Sequence, residues 1–338
     1  MAKLHHPGCT IHSIGSGRLQ TDPEKSETDA IPKRITRFGA LDWKFEGKTM
    51  KKILFASTAL VATAGVAAAE ISFGGSANFG IMYNGSETIV KNEIDFDIKG
   101  SGETDSGLKF GASLDIDGAH NDSATTQSTV ADPEVYIEMG GLKLTVGDIG
   151  EANDVGGISD VGFDGLGVDD VVDGLRENGN DDVRVDYSFG DIAVAASVDS
   201  ANDEWAISAS GSFGDFSVSA GYRDNANNGE GNHDDMNITV GYSAGAFGVS
   251  ATYAEGGVDT DSPANGALDV TQKGYGLDVS YTQGDLTVVA AYAKNDTTGA
   301  DAMGIGATYS LGGGAAIAGG IAEVGGETVA DLGMTFSF

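Results

Sequence analysis

The sequence predicts an all-β chain of sixteen antiparallel strands closed into a transmembrane β-barrel. Three observations carry that expectation. Apolar and polar residues alternate with period two through sixteen segments between Ile71 and Phe338, the spacing of a strand with two unlike faces. Short and long connections alternate, so the two ends of the meander meet different surroundings. Aromatic residues collect near the ends of the segments, as expected where strands cross the two interfaces of a bilayer.

The chain opens on a stretch outside this pattern. Residues 1–49 hold the only cysteine, Cys9, and three of the five histidines, and show no alternation. From Met50 the stretch "MKKILFASTALVATAGVAAAE" has the three-part layout of an export signal: two lysines, an apolar run, and an Ala-x-Ala site at Ala67–Ala69. The apolar run is too short to span a membrane well. Residues 1–49 are therefore expected to be a mis-assigned N-terminal extension, 50–69 a signal peptide, and 70–338 the barrel. From Glu70 onward there are 45 acidic and 9 basic residues, a balance of -36, and no cysteine. Such a charge excludes nucleic acid as a partner, because phosphates require Lys and Arg, and no disulfide can form.

The strands are expected near 71–84, 89–100, 107–118, 132–140, 142–148, 183–189, 191–199, 204–213, 215–223, 236–244, 246–254, 273–283, 285–293, 302–311, 314–322 and 329–338. "EIDFDIKG" is a clear case, with Ile94, Phe96 and Ile98 on one face and Glu93, Asp95, Asp97 and Lys99 on the other. Tight Gly-containing turns sit at 140–141, 189–191, 213–215, 245–247, 283–285 and 312–314. Longer polar stretches sit at 119–131, 149–182, 199–204, 224–235, 255–272, 294–301 and 323–328. The last strand, "VADLGMTFSF", ends on an aromatic ring and is expected to close the ring against 71–84, leaving no edge unpaired in lipid. Turn-side aromatics are Phe189, Phe213, Phe216, Phe247, Tyr281, Tyr309 and Phe338. Loop-side ones are Tyr83, Trp205, Tyr222, Tyr253, Tyr275 and Tyr292. A soluble two-sheet sandwich also alternates, but does not need aromatics sorted to strand ends. The other face is too polar for a packed core, and a ring of sixteen strands leaves an aqueous channel.

One loop, 149–182, stands apart. It holds ten acids, Glu151, Asp154, Asp160, Asp164, Asp169, Asp170, Asp173, Glu177, Asp181 and Asp182, against the single base Arg176. It also holds Val155, Ile158, Val161, Phe163, Leu166, Val168, Val171, Val172 and Leu175, which a solvated acidic tail lacks. It is expected to pack on the inside wall, with a helical turn near "VDDVVDGL". Oxygen-rich "DVGFDGLGVDD" leaves Ca²⁺ binding open, though without EF-hand spacing. Five of the nine bases, Lys91, Lys99, Lys109, Lys143 and Arg184, fall on the polar face of neighbouring strands. Opposed charges across a pore orient dipolar solutes, although Lys99, Lys109 and Lys143 lie close to short turns. No catalytic constellation is visible: His120 and His233 lie in polar stretches, and no phosphate-binding loop, dinucleotide fingerprint or nucleophile elbow is present. No short repeat of the kind found in secreted calcium-binding surface proteins is present either.

The stretches "ANFGIMYNG" (77–85), "SGETDSGLKFGASLD" (101–115), "VDYSFGDIAVAAS" (185–197), "YSLGGGAAIAGGIAE" (309–323) and the C-terminal ten residues resemble the Gram-negative porins of alphaproteobacteria, close to those of purple non-sulfur bacteria. The resemblance spans Met50 to Phe338. It implies a homotrimeric outer-membrane channel, surrounded by lipid, for passive diffusion of ions and small hydrophilic solutes, with no enzyme activity and no cofactor. It implies that loop 149–182 folds inward as the constriction, its acids facing bases on the wall. The charge balance adds an expectation of cation preference. Small outward residues Gly75, Ala77, Ala315 and Gly319 mark the expected contact between subunits.

Overall fold

The structure, a computed structural model, describes residues 70–120, 127–176, 179–225, 234–258 and 270–338; the expected extension and signal peptide lie outside them. Sixteen strands follow in order: β1 (Glu70–Tyr83), β2 (Thr88–Glu103), β3 (Lys109–His120), β4 (Gln127–Met139), β5 (Leu142–Gly150), β6 (Asn180–Phe189), β7 (Ile192–Asp199) and β8 (Glu204–Phe213). The second half is β9 (Phe216–Asn225), β10 (Asp235–Ala244), β11 (Phe247–Val258), β12 (Val270–Gln283), β13 (Leu286–Asn295), β14 (Asp301–Gly312), β15 (Ala315–Val324) and β16 (Glu327–Ser337). Each strand pairs antiparallel with the next, and β16 returns to β1, making a closed barrel.

Closure explains the aromatic C-terminus. β1 and β16 pair from Ser76 opposite Ser337 to Tyr83 opposite Ala330. Beyond that ladder Gly75 and Phe338 exchange both backbone hydrogen bonds, each 3.0 Å. The Phe338 ring stands edge-on to Phe96, with centroids 5.7 Å apart. No strand is left as an edge, which a lipid environment requires because it offers backbone groups no other partner.

Period two divides the barrel into two surfaces. Outward residues are large and exposed: Ile71, Phe73, Phe79 and Ile81 on β1, Ile305 and Tyr309 on β14, and Leu332 on β16. Aromatic pairs brace the rims, Phe216 with Tyr242 and Phe247 with Tyr281 at the turn end, and Trp205 with Tyr222 at the loop end. Inward residues of β8 to β12 are mostly Ser, Thr, Asn and Gly. One expected loop is absent. The stretch 323–328 is a two-residue turn at Gly325–Gly326, with φ of 60° and 85°, because Glu327 and Thr328 continue the ladder opposite Val324 and Glu323.

The apolar cluster does not lie between layers of sheet. It consists of Ile158, Val161, Leu166, Val168, Val172 and Leu175 from the segment between β5 and β6, packed on Ala254, Ala291, Ala293, Ala302 and Ala322 of the wall.

Candidate functional site

After β5 the chain turns into the lumen and crosses the inner wall one strand after another. The Asn153 backbone lies on Gly221 of β9, and Asn237 of β10 donates to the Val155 carbonyl. The Gly157 N–H donates to Thr239 Oγ1 of β10 (3.0 Å), and the Gly157 carbonyl accepts from Thr252 of β11 (2.8 Å). Ser159 donates to Asp278 of β12 (2.8 Å). The chain then reaches β16, where Asp331 Oδ2 accepts from the N–H groups of Phe163 (2.8 Å) and Asp164 (3.2 Å). Asp164 ends the crossing in an ion pair with Lys91 of β2. The return leg carries a helical turn, α1 (Asp170–Asp173), which packs on β11, β12 and β13.

This route is open because glycines stand at the wall positions where a side chain would block it. A Cβ at Gly276 of β12 would overlap Ile158. One at Gly304 of β14 would lie 3.1 Å from both Val161 and Val168, and one at Gly320 of β15 would lie 3.0 Å from Gly162. Gly80 of β1 and Gly333 of β16 leave a socket for the Phe163 ring. Glycine weakens a strand taken alone. Here it lets another backbone approach closely, and the apolar side chains of the segment are buried against the sheet at about 1.5–3 kcal/mol each.

The root of the segment is held by charge. The Arg223 guanidinium of β9 donates to Glu151 Oε1 (3.0 Å) and to Asp235 (2.8 Å to the nearer oxygen), with Glu204 at 3.9 Å. The Arg223 and Glu151 side chains are both only 3% exposed. Burial pushes the Glu151 carboxyl above its ordinary range, and Arg223 opposes that shift. Arg184 of β6 grips Asp186 and donates to the carbonyls of Gly150 and Glu151 at 3.0 and 3.2 Å. Arg223 escaped the sequence reading, although it falls on the polar face of β9, whereas Lys273 and Lys294 take the outward parity.

Of the acids expected at the constriction, Glu151 and Asp164 are anchors to the wall. Asp154 and Asp173 flank the buried Arg176 at 3.3 and 3.2 Å. Asp173 also accepts from the Ile158 N–H at 3.0 Å, and burial raises its carboxyl. Asp160 and Asp170 are exposed, with the half-buried Asp169 between their charges. Glu177 lies outside the described residues. The wall bases divide by height. Lys91 stands opposite Gly80, level with the Phe163 socket. Lys99, opposite Ser72, pairs with Asp97 at 2.9 Å, and Lys109 beside the β2–β3 turn pairs with Glu138 at 3.4 Å. Lys143 lies one residue into β5, its ammonium 4.8 Å above the Tyr136 ring. Between these levels Glu93, Asp95, Asp97 and Asp115 line a concavity of about 450 Å³ with Gly75 and Ser76. Among the described residues no three His, Cys, Asp or Glu side chains are grouped to hold a metal ion.

Asp169 gives this site a pH response. Burial, and then the charge of Asp160, push its carboxyl up from 3.8 to about 7. Between about pH 4 and about pH 7 the folded chain binds a proton that the unfolded chain releases, so this group adds stability as pH falls through that window. As pH falls through about 7 the folded segment loses one negative charge. The zero-current potential across a bilayer in a salt gradient is expected to shift in the anion direction between about pH 8 and about pH 6. The Asp169→Asn variant should flatten that difference; an unchanged difference would assign it to another group.

A closed ring of sixteen strands, apolar outside, polar within and crossed by its own loop, is the architecture of a water-filled channel through a membrane. The chain belongs to the Gram-negative porin family, whose model matches residues 56–328. It is an outer-membrane β-barrel. It is 32% identical over 308 residues to a porin of Rhodobacter capsulatus, covering 80% of this chain and all of that protein. It is 28% identical over 302 residues to a porin of Fuscovulum blasticum, again covering 80% and 100%. Among solved structures, an engineered variant of the Rh. blastica porin superposes with a TM-score of 0.63 at 26% identity, covering 79% of this chain and 100% of that one.

Proposed function

We propose that this porin passes ions and small hydrophilic solutes by passive diffusion, prefers cations, and works as a homotrimer. The observation that carries the preference is the distribution of unmatched charge around the lumen. The three wall bases next to the inward segment are engaged, Lys91 by Asp164, Arg184 by Asp186 and two carbonyls, and Arg223 by Glu151 and Asp235. Beside them Glu93, Asp95 and Asp115 face one concavity shared with Asp97, which Lys99 matches, while Asp160 and Asp170 are exposed on the segment. The passage therefore has acid on both sides, which concentrates cations and repels anions at low salt. The zero-current potential in a salt gradient tests this. It should carry the sign of cation preference at neutral pH and shrink in the Glu93→Gln/Asp95→Asn/Asp115→Asn variant. Anion preference in the unaltered protein would refute the reading.

The trimer rests on the outer wall around β1, β15 and β16. Phe79, Ile81, Val90, Ile317, Leu332 and Met334 border an apolar groove there of about 400 Å³, and Ala77 and Ala315 both stand opposite Phe336 in the ladder. Small residues beside a groove allow two barrels to approach closely. Ala77→Trp or Ala315→Trp should weaken the trimer band on mild-detergent gels, and unaltered trimers would place the contact on another face.

A further inference from the structure

We propose that Asp331, on the last strand, is the positioning residue that pins the tip of the inward segment across the lumen and so sets the width of the passage; this rests on the reading of that segment as the constriction. Both ends of the segment leave the wall at β5 and β6, next to the Arg223 and Arg184 anchors. The tip, Gly162 to Asp164, lies at the far end of this hairpin, where a small loss of grip moves the chain furthest. The hold at that end is specific. Two consecutive backbone N–H groups, of Phe163 and Asp164, point at one carboxylate oxygen, Asp331 Oδ2, at 2.8 and 3.2 Å. A carboxylate receiving backbone N–H groups makes stronger hydrogen bonds than a neutral acceptor, and Asp331 is 7% exposed, so water competes little.

The surroundings are built for this contact. Gly162 has φ of 103°, and any Cβ there would run into the Asp331 carboxylate. A side chain at Gly80 or Gly333 would strike the Phe163 ring. The Phe163 ring is 9% exposed and Val161 is fully buried, so the two apolar residues flanking Gly162 seat the tip while Asp331 fixes its height. Lys91 adds an ion pair to Asp164, but its side chain is 27% exposed. That pair is more open to salt and water than the Asp331 contact.

The test is single-channel recording of the full chain carrying Asp331→Ala or Asp331→Asn, with barrel folding checked by heat-modifiable gel mobility. Asp331→Ala removes the one oxygen that accepts from both N–H groups. The fraction of time the tip is detached should rise roughly tenfold or more, read as flickering toward a state of higher conductance and passage of larger neutral solutes. Asp331→Asn keeps an amide oxygen in place for the same two N–H groups, and should restore a quiet current of near-normal size. That rescue separates positioning from a general effect on barrel stability. The assignment is overturned if Asp331→Ala folds and conducts as quietly as the unaltered protein while removal of 155–175 still widens the channel. It is also overturned if Asp331→Asn flickers as much as Asp331→Ala. If removal of 155–175 changes nothing, the constriction reading itself fails.

Discussion

Replacing Arg223 by methionine should cost this barrel more than any other single change of an inward side chain. Arg223 links three strands and the loop root: Asp235 on β10, Glu204 on β8 and Glu151 at the start of the inward segment. The Asp235 side chain has no exposure and that of Glu204 only 12%. Removing the guanidinium leaves these carboxylates facing one another in a site that water scarcely reaches. Breaking one partner out of a buried charge network costs about 3–5 kcal/mol. Part of that is recovered when Glu151, already raised by burial, takes a proton. The expected result for Arg223→Met is a lower midpoint of thermal unfolding in detergent and a poor yield of folded barrel. Arg223→Lys should fall between the two, because one ammonium cannot reach several carboxylates in the geometry of a fork. An unfolding midpoint equal to that of the unaltered protein would mean that the network does not support the barrel.

The barrel was legible in the sequence because its governing signal is local. In "EIDFDIKG" the face of each residue follows from its neighbours two positions away, and the same rule placed Phe338 in a closing strand. The aromatic rims were legible for a related reason, since Phe213 and Phe216 must lie at one level on either side of a tight turn. The extra pairing at Glu327 and Thr328 was missed because a run of Gly, Glu and Thr reads equally well as loop or strand.

The inward segment announced itself by its apolar residues, but its anchors did not. Arg223 and Glu151 are 72 positions apart, and Phe163 and Asp331 are 168 apart. No periodicity connects such pairs; the ring brings them together. The glycines were visible but ambiguous. In a strand, Gly marks either a weak point or a surface on which another backbone lies, and only the path of residues 153–164 shows that Gly276, Gly304, Gly320 and Gly333 belong to the second kind. The wall bases follow the parity of the polar face, yet their distance from the segment depends on register. Lys91 is level with Phe163, whereas Lys109 sits at the turn.

Removing residues 155–175 should raise single-channel conductance and the size limit for neutral solutes more than any point substitution. The segment spans the wall from β9 to β2 by close backbone approaches, hydrogen bonds and one ion pair, and returns over β11 to β13, so the channel is barrel minus segment. Its buried side chains, Ile158, Val161, Phe163, Leu166, Val168, Val172 and Leu175, account for why it stays on the wall; at about 1.5–3 kcal/mol each they outweigh the exposure of its few outward acids. The barrel should assemble without it, because every strand keeps its two neighbours and the Gly and Ala floor beneath it faces only water once uncovered. The most direct measurement is therefore single-channel conductance of the unaltered and shortened proteins in the same bilayer and salt, each confirmed as folded by heat-modifiable mobility. A larger conductance with a higher solute cut-off in the shortened protein is the predicted result. Equal conductance and an equal cut-off in a folded barrel would contradict the constriction.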